Sequence, residues 1–242
     1  MLRLAARFRR GQARLPVTPA SWPCPLPGGG SADEYALAFD RGRAWRLLVV
    51  PALFDEANRL RRLTVEVMRR LDAAGIDCVL PDLPGCNESP QPLAIQTPED
   101  WRDAMGAAAR HFGATHVLAV RGGALVAPTH LPCWRYAPVK GSGVLRQMLR
   151  ARIIAAREAG LAETQEGLLA EALANGIELA GYRLGAEFVS QFQSLVPPVS
   201  PHARDVDQDM VGGSGLWLRA EPDEDRAQAD ALAATLAIGI KA

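Results

Sequence analysis

The sequence predicts an α/β fold: a mostly parallel sheet with helices on both faces and a small helical insertion over one sheet edge. Short apolar runs that stop at Pro or Gly alternate with stretches whose apolar residues recur every three or four positions, which is the pattern of parallel crossovers. Apolar residues fill 48 % of the 242 positions, enough for one full core. Two helical stretches follow each other between the fourth and fifth expected strands, and an insertion there lies over the carboxyl edge, where open α/β sheets bind ligands.

The elements follow in order. Residues 1–31 read as a basic lead-in whose second half, 16–31, holds too much Pro and Gly for a regular element, and residues 32–242 read as the folded domain. Residues 35–39 suit an edge strand and 45–50 a buried parallel strand closed by Pro51. Leu60, Leu63, Val67 and Leu71 stripe a helix over 56–74, with Gly75 past its end. A strand at 78–83 stops at Pro84-Gly85. Thr97-Pro98-Glu99-Asp100 then carries the cap, the first-turn proline and the acids of a helix running to 112. Further strands are expected at 116–120, 133–139, 177–184 and 216–220. Helices are expected at 122–127, 144–159, 164–174, 186–195 and 225–240, with the insertion spanning about 141–175.

Charge excludes some classes of function. Lys and Arg number 27 against 27 Asp and Glu, which argues against a whole-surface nucleic-acid binder and against a disordered acidic or basic tail. The balance is uneven along the chain: Arg3, Arg7, Arg9, Arg10 and Arg14 meet no acid before residue 16, whereas 205–230 is acidic. Leu2, Leu4 and Phe8 give residues 1–15 an apolar side suited to peripheral contact with an anionic membrane; the alternative is a frayed start. No apolar run approaches a membrane span. Cys24, Cys78, Cys86 and Cys133 form no Cys-x-x-Cys pair, which suggests reduced thiols in a cytoplasm and no metal site. The glycine clusters lack phosphate-loop spacing, so no cofactor is implied. Nothing in the sequence specifies an oligomeric state.

The most informative segment runs from His116 to Ala127. A nucleophile elbow joins strand to helix through a strained turn with small neighbours, Gly-x-Ser-x-Gly. Here that turn reads Ala119-Val120-Arg121-Gly122-Gly123, so a permanently protonated arginine stands where the nucleophile belongs. A Ser-Asp-His machine also needs a histidine after the last strand. Residues 221–242 contain none, and only large loop excursions would deliver His130 or His202.

Four stretches, 50–62, 80–89, 120–127 and 178–184, carry a resemblance over roughly residues 40–220. The chain resembles the α/β-hydrolase superfamily and, within it, the exosortase A system-associated hydrolases of type 2, found beside bacterial exopolysaccharide and protein-sorting genes. The resemblance implies that an arginine at the elbow is a trait of that group and that its name rests on fold.

The candidate residues keep two readings each. Arg121 with Gly122 would bind a small anionic or acyl ligand at a helix start, with Phe54, Glu56, Asp82 and Tyr182 at the same edge. Alternatively Arg121 forms an internal ion pair with Glu56 or Asp82. Cys86 and Ser89 are substitute nucleophiles if His130 or His202 reaches them. Otherwise Cys86 is a small buried residue and Ser89 a turn residue. Tyr182 either points a hydroxyl into the cleft or packs in the core. Three functions follow: a ligand-binding or accessory protein without the ordinary triad, an atypical ester or thioester hydrolase, or a structural partner that docks through the basic lead-in or the 150–157 helix.

Overall fold

The computed structural model describes residues 17–242, so the amphipathic reading of residues 1–15 falls outside them. The chain opens with β1 (Thr18–Pro25) and β2 (Ser31–Phe39), an antiparallel hairpin in which Trp22 lies opposite Glu34. β3 (Arg46–Val50) leads into α1 (Asp55–Ala73), and β4 (Asp77–Pro81) into α2 (Pro98–His111). α2 starts on a capping box: the Thr97 hydroxyl accepts from the Asp100 N–H while the Asp100 carboxylate accepts from the Thr97 N–H. β5 (His116–Val120) passes into a short 3₁₀ turn, Arg121–Leu125, and β6 (Cys133–Tyr136) follows.

Between β6 and the last strand come α3 (Gly141–Glu158), α4 (Gln165–Asn175), a hairpin of β7 (Ile177–Leu179) and β8 (Tyr182–Leu184), and α5 (Ala186–Phe192). β9 (Ala203–Val206), α6 (Gln208–Val211) and α7 (Arg226–Lys241) complete the chain. Among the described residues seven strands form the main sheet, in the order β1-β2-β4-β3-β5-β6-β9. All but β1 and β2 run parallel to one another. The mostly parallel sheet with helices on both faces is the expected class.

Strand alternation sends successive side chains to opposite faces. Leu48, Val50, Val117 and Ala119 pack with Trp101 of α2 and Phe188 and Phe192 of α5. Leu47, Val49, Leu118 and Val120 pack on the other face with Leu60, Val67 and Leu71 of α1 and Leu232 and Leu236 of α7. The Trp101 indole N–H, wholly buried, donates to the Pro84 carbonyl at 2.9 Å and so pins α2 under the loop after β4. No helix among the described residues is long and apolar enough to cross a membrane.

Several elements differ from expectation. The segment 16–31 is not irregular throughout: Pro19, Pro23 and Pro25 sit on β1, an outermost strand paired on one side only, which tolerates a missing N–H. The strand expected at 35–39 begins at Ser31 and is internal, with neighbours on both sides. The run 177–184 is a separate hairpin, because Ala180 and Gly181 both adopt positive φ (50° and 82°) and reverse the chain. The expected helix at 122–127 is a 3₁₀ turn, and 216–220 is a 3₁₀ turn at Leu216–Leu218 in place of a strand. The last strand is β9, whose Ala-Arg-Asp-Val carries no apolar run to betray it.

The strand-to-helix junction after β5 tolerates no side chain at Gly123: a Cβ there would stand 2.4 Å from the Pro51 carbonyl oxygen. Gly123→Ala is expected to lower stability in urea unfolding by about 1–3 kcal/mol, the usual cost of overpacking. A change below about 0.5 kcal/mol would contradict that close approach.

Candidate functional site

The ends of β3, β4, β5, β6 and β9 all face the same edge, because these strands are parallel. The backbone is strained there. Phe54 after β3, Asn87 in the loop after β4, Arg121 after β5 and Ala137 after β6 have φ of 55°, 52°, 52° and 44°. Each such left-handed residue with a Cβ costs about 1–3 kcal/mol, and strain of this kind concentrates at functional edges.

Arg121 therefore occupies a nucleophile elbow in its backbone as well as in its sequence position. Its small neighbours serve close approach. A Cβ on Gly122 would come within 2.9 Å of the Leu53 side chain, so Leu53 covers Gly122 directly. The Arg121 side chain, however, turns inward. Nε donates to Glu56 Oε2 at 3.1 Å, Nη2 to Glu56 Oε1 at 2.9 Å, and Nη1 to the Ala137 carbonyl at 2.8 Å. The guanidinium lies 4.0 Å from the centroid of the Trp217 ring. Only 12 % of the Arg121 side chain and 5 % of the Glu56 side chain remain exposed. Of the two acids expected as partners, Glu56 is the one that meets it, in a two-point fork.

The other expected acid, Asp82, is buried and organises its own loop, accepting from Asn87 Nδ2 at 2.9 Å and from the Glu88 N–H at 3.3 Å. Burial raises its carboxyl above the usual range, against the lowering effect of these bonds. Phe54 is the centre of an aromatic cluster: Trp101, Tyr182, Phe188 and Phe192 have ring centroids 5.2–5.9 Å from it. Tyr182, on β8, sets its ring edge-on to Phe54, and its hydroxyl accepts from Asn58 Nδ2 at 3.5 Å. The hairpin and α5, which follow the insertion, thus drive aromatic side chains into the space beside the elbow.

The substitute nucleophiles sit near this edge without a histidine beside them. Cys86 is pushed up to about 12 by burial and by the Asp82 and Glu34 carboxyls, so its thiolate is scarce at neutral pH. The Ser89 hydroxyl donates to Glu34 Oε1 at 2.7 Å and accepts from the Gly85 and Gln91 N–H groups at 2.8 and 3.2 Å. It is tied into its turn by three bonds.

The structure places His130 and His202 at the far edge. His202 directly precedes β9, and His130 lies three residues before β6. His116 begins β5 and His111 ends α2, so all four histidines of the chain stand at the amino ends of the parallel strands. A five-residue strand such as β5 is roughly 16 Å long, which separates any of these imidazoles from Arg121 by the sheet's whole depth.

Three groups at this edge were not singled out from sequence. Trp217 reads as core apolar sequence, and nothing local says that it stacks on a guanidinium. Asp207 follows β9 on the same edge, but β9 itself carries no strand signal. Glu34, 1 % exposed, lies in a strand that alternation alone would have flagged as holding an inward acid. Gln91 Nε2 donates to it at 2.8 Å beside Ser89, while its Oε2 and the neighbouring Trp22 Nε1 have no protein partner.

This strand order and edge define the α/β-hydrolase fold, and comparison with solved structures places the chain in it. The chain is similar to DcsB, solved in complex with its substrate analogue, at 10 % identity over 93 % of this chain and 98 % of that one, with a TM-score of 0.55. It is similar to the mouse alpha/beta hydrolase domain-containing protein 10 at 14 % identity over 86 % and 94 %, with a TM-score of 0.51. A hypothetical protein from Pseudomonas aeruginosa matches at 11 % identity over 86 % and 83 %, also with a TM-score of 0.51. The chain spans less than two thirds of two other bacterial structures, 61 % of one from Agrobacterium vitis and 63 % of a lidless serine hydrolase from Xanthomonas campestris. No protein-family model and no curated protein sequence matches the chain.

Two outcomes follow from these contacts. Arg121→Met leaves the Glu56 carboxylate buried and unpaired, with an expected loss of about 3–5 kcal/mol in urea unfolding. Adding Glu56→Gln should restore a large part of it, and a single-variant loss under about 1 kcal/mol would rule out a strong pair. Burial holds the Glu34 carboxyl above its ordinary value, although the bonds from Ser89 and Gln91 pull it down. A raised acid contributes its full stability below the unfolded value of about 4.3 and loses it as pH climbs through the folded value. Glu34→Gln should therefore gain on the natural protein as pH rises from 4 to 8; a pH-independent difference would contradict this.

Proposed function

We propose that this chain is a non-hydrolytic protein of α/β-hydrolase fold, acting as a ligand-binding or accessory component of a bacterial exosortase-type, exopolysaccharide-associated system. One observation carries the non-hydrolytic reading: the elbow residue is an arginine locked to Glu56 beneath Trp217. An arginine cannot attack a carbonyl as the elbow serine does, and the pairing leaves it no vacant role as the base. Placement of every histidine at the opposite edge supports the same reading, as does the bonded state of Ser89 and the raised thiol of Cys86. The assignment to an exosortase-type locus is supported by the four sequence stretches that resemble that group. A small anionic or acyl ligand would meet the carboxyl edge beside Phe54 and Tyr182, since Arg121 is already neutralised by Glu56.

The test is a panel of short-chain nitrophenyl esters and acyl thioesters together with fluorophosphonate and iodoacetamide labelling of the folded protein. The expected result is no turnover above buffer and no labelling at Ser89 or Cys86. Turnover that disappears in Ser89→Ala or Cys86→Ala would overturn the proposal.

A further inference from the structure

Helix α1 forms one wall of a trough of about 820 Å³ whose other wall includes Pro222, Glu224 and Arg226. Arg61, Arg62, Arg69 and Arg70 project into it from α1 and Arg226 from across, against the carboxylates of Glu66 and Glu224. At 3.6 residues per turn, positions 62 and 69 share one helix face about 10 Å apart along the axis, with 61 and 70 on its opposite flanks. The pattern is a basic cleft with a partial acidic lining, set apart from the elbow.

The two internal acids show what the arginines are spaced to receive. Glu66 bridges a pair, contacting Arg69 at 2.5 Å and Arg70 at 2.8 Å, and Asp230 of α7 holds Arg70 as well at 2.5 Å. Glu224 bridges Arg62 and, more loosely at 4.0 Å, Arg226. These leave cationic capacity over: among the described residues Arg61 makes no hydrogen bond or ion pair, acting only at longer range on the Asp82 carboxyl, and the Arg226 side chain is 83 % exposed. No aromatic ring lines the trough, so the stacking platform of single-stranded nucleic-acid sites is missing. Its concave form suits an extended chain better than a bilayer surface.

We propose that the trough is a docking site for an acidic peptide segment of a partner protein, whose carboxylates pair with Arg61 and Arg226 as Glu66 and Glu224 pair with their neighbours. Val65 and Pro222 supply the apolar contacts between the charged steps. The inference does not depend on the elbow's chemistry. Recognition of this kind is steered by charge and weakens with salt.

Fluorescence anisotropy with a labelled Glu-rich decapeptide, its Gln counterpart, anionic vesicles and a single-stranded oligonucleotide tests it on the full chain. The Glu peptide should bind and the Gln peptide should not, with affinity falling as salt rises from about 50 to 200 mM. Arg61→Gln/Arg226→Gln should weaken the Glu peptide about tenfold, whereas Arg150→Gln/Arg157→Gln on the exposed face of α3, an equal loss of charge, should leave it within twofold. Equal weakening in both double variants, no discrimination between the peptides, or tighter trough-dependent binding of vesicles or oligonucleotide would overturn the proposal.

Discussion

The contact between Arg121 and Glu56 organises the functional edge. A guanidinium keeps its proton in any protein environment, so one placed at the end of a central strand has to be matched inside the molecule or the edge comes apart. Glu56 meets this demand from the first turn of α1, where the helix dipole also favours a negative charge. The Ala137 carbonyl supplies a third acceptor from the end of β6, and Trp217 covers the exposed face of the guanidinium. One side chain thereby ties β5, α1, β6 and the segment before α7 into a single unit. The left-handed turns at Phe54, Arg121 and Ala137 surround it, and the strain in those turns is held by these same contacts.

The remainder of the edge is filled from two sides. Phe188 and Phe192 of α5, with Tyr182 of the hairpin, wedge against Phe54 and Trp101. The loop after β4 is fastened below by Asp82 and by the buried acid Glu34, which holds Ser89 and Gln91 together. In this way Ser89, which the sequence offers as a catalytic candidate, is bonded within its own loop.

The backbone plan of this molecule is shared more widely than its side chains. Its sheet order and strained elbow are those of α/β-hydrolases, whereas its identity to solved structures with comparable architecture is 10–14 %. At such distances the backbone plan is informative and the side chains decide activity. The same turn that would raise a serine above the sheet in a hydrolase here presents an arginine to a buried glutamate.

Much of the plan was legible along the chain. The apolar strands at β3, β5 and β6, the striped helix α1 and the Thr97 cap are local patterns, and each follows from burial or from an unpaired N–H that needs an acceptor. Arg121 at the elbow was visible as well, because its neighbours Gly122 and Gly123 mark the turn by size alone. What local pattern could not supply was any fact that depends on a partner distant in sequence. The choice of Glu56 over Asp82 joins positions 65 residues apart, and Trp217 reaches Arg121 only after the sheet and α1 have assembled. β9 pairs without an apolar run because β6 provides its bonds, and the Ala180-Gly181 turn converts one apparent strand into a hairpin. By itself the sequence determined the alternating architecture and the arginine at the elbow, since these rest on periodicity and residue size. Tertiary structure decided where that arginine's charge goes and which edge the histidines occupy, since pairing energies depend on distances that exist only once the chain has folded.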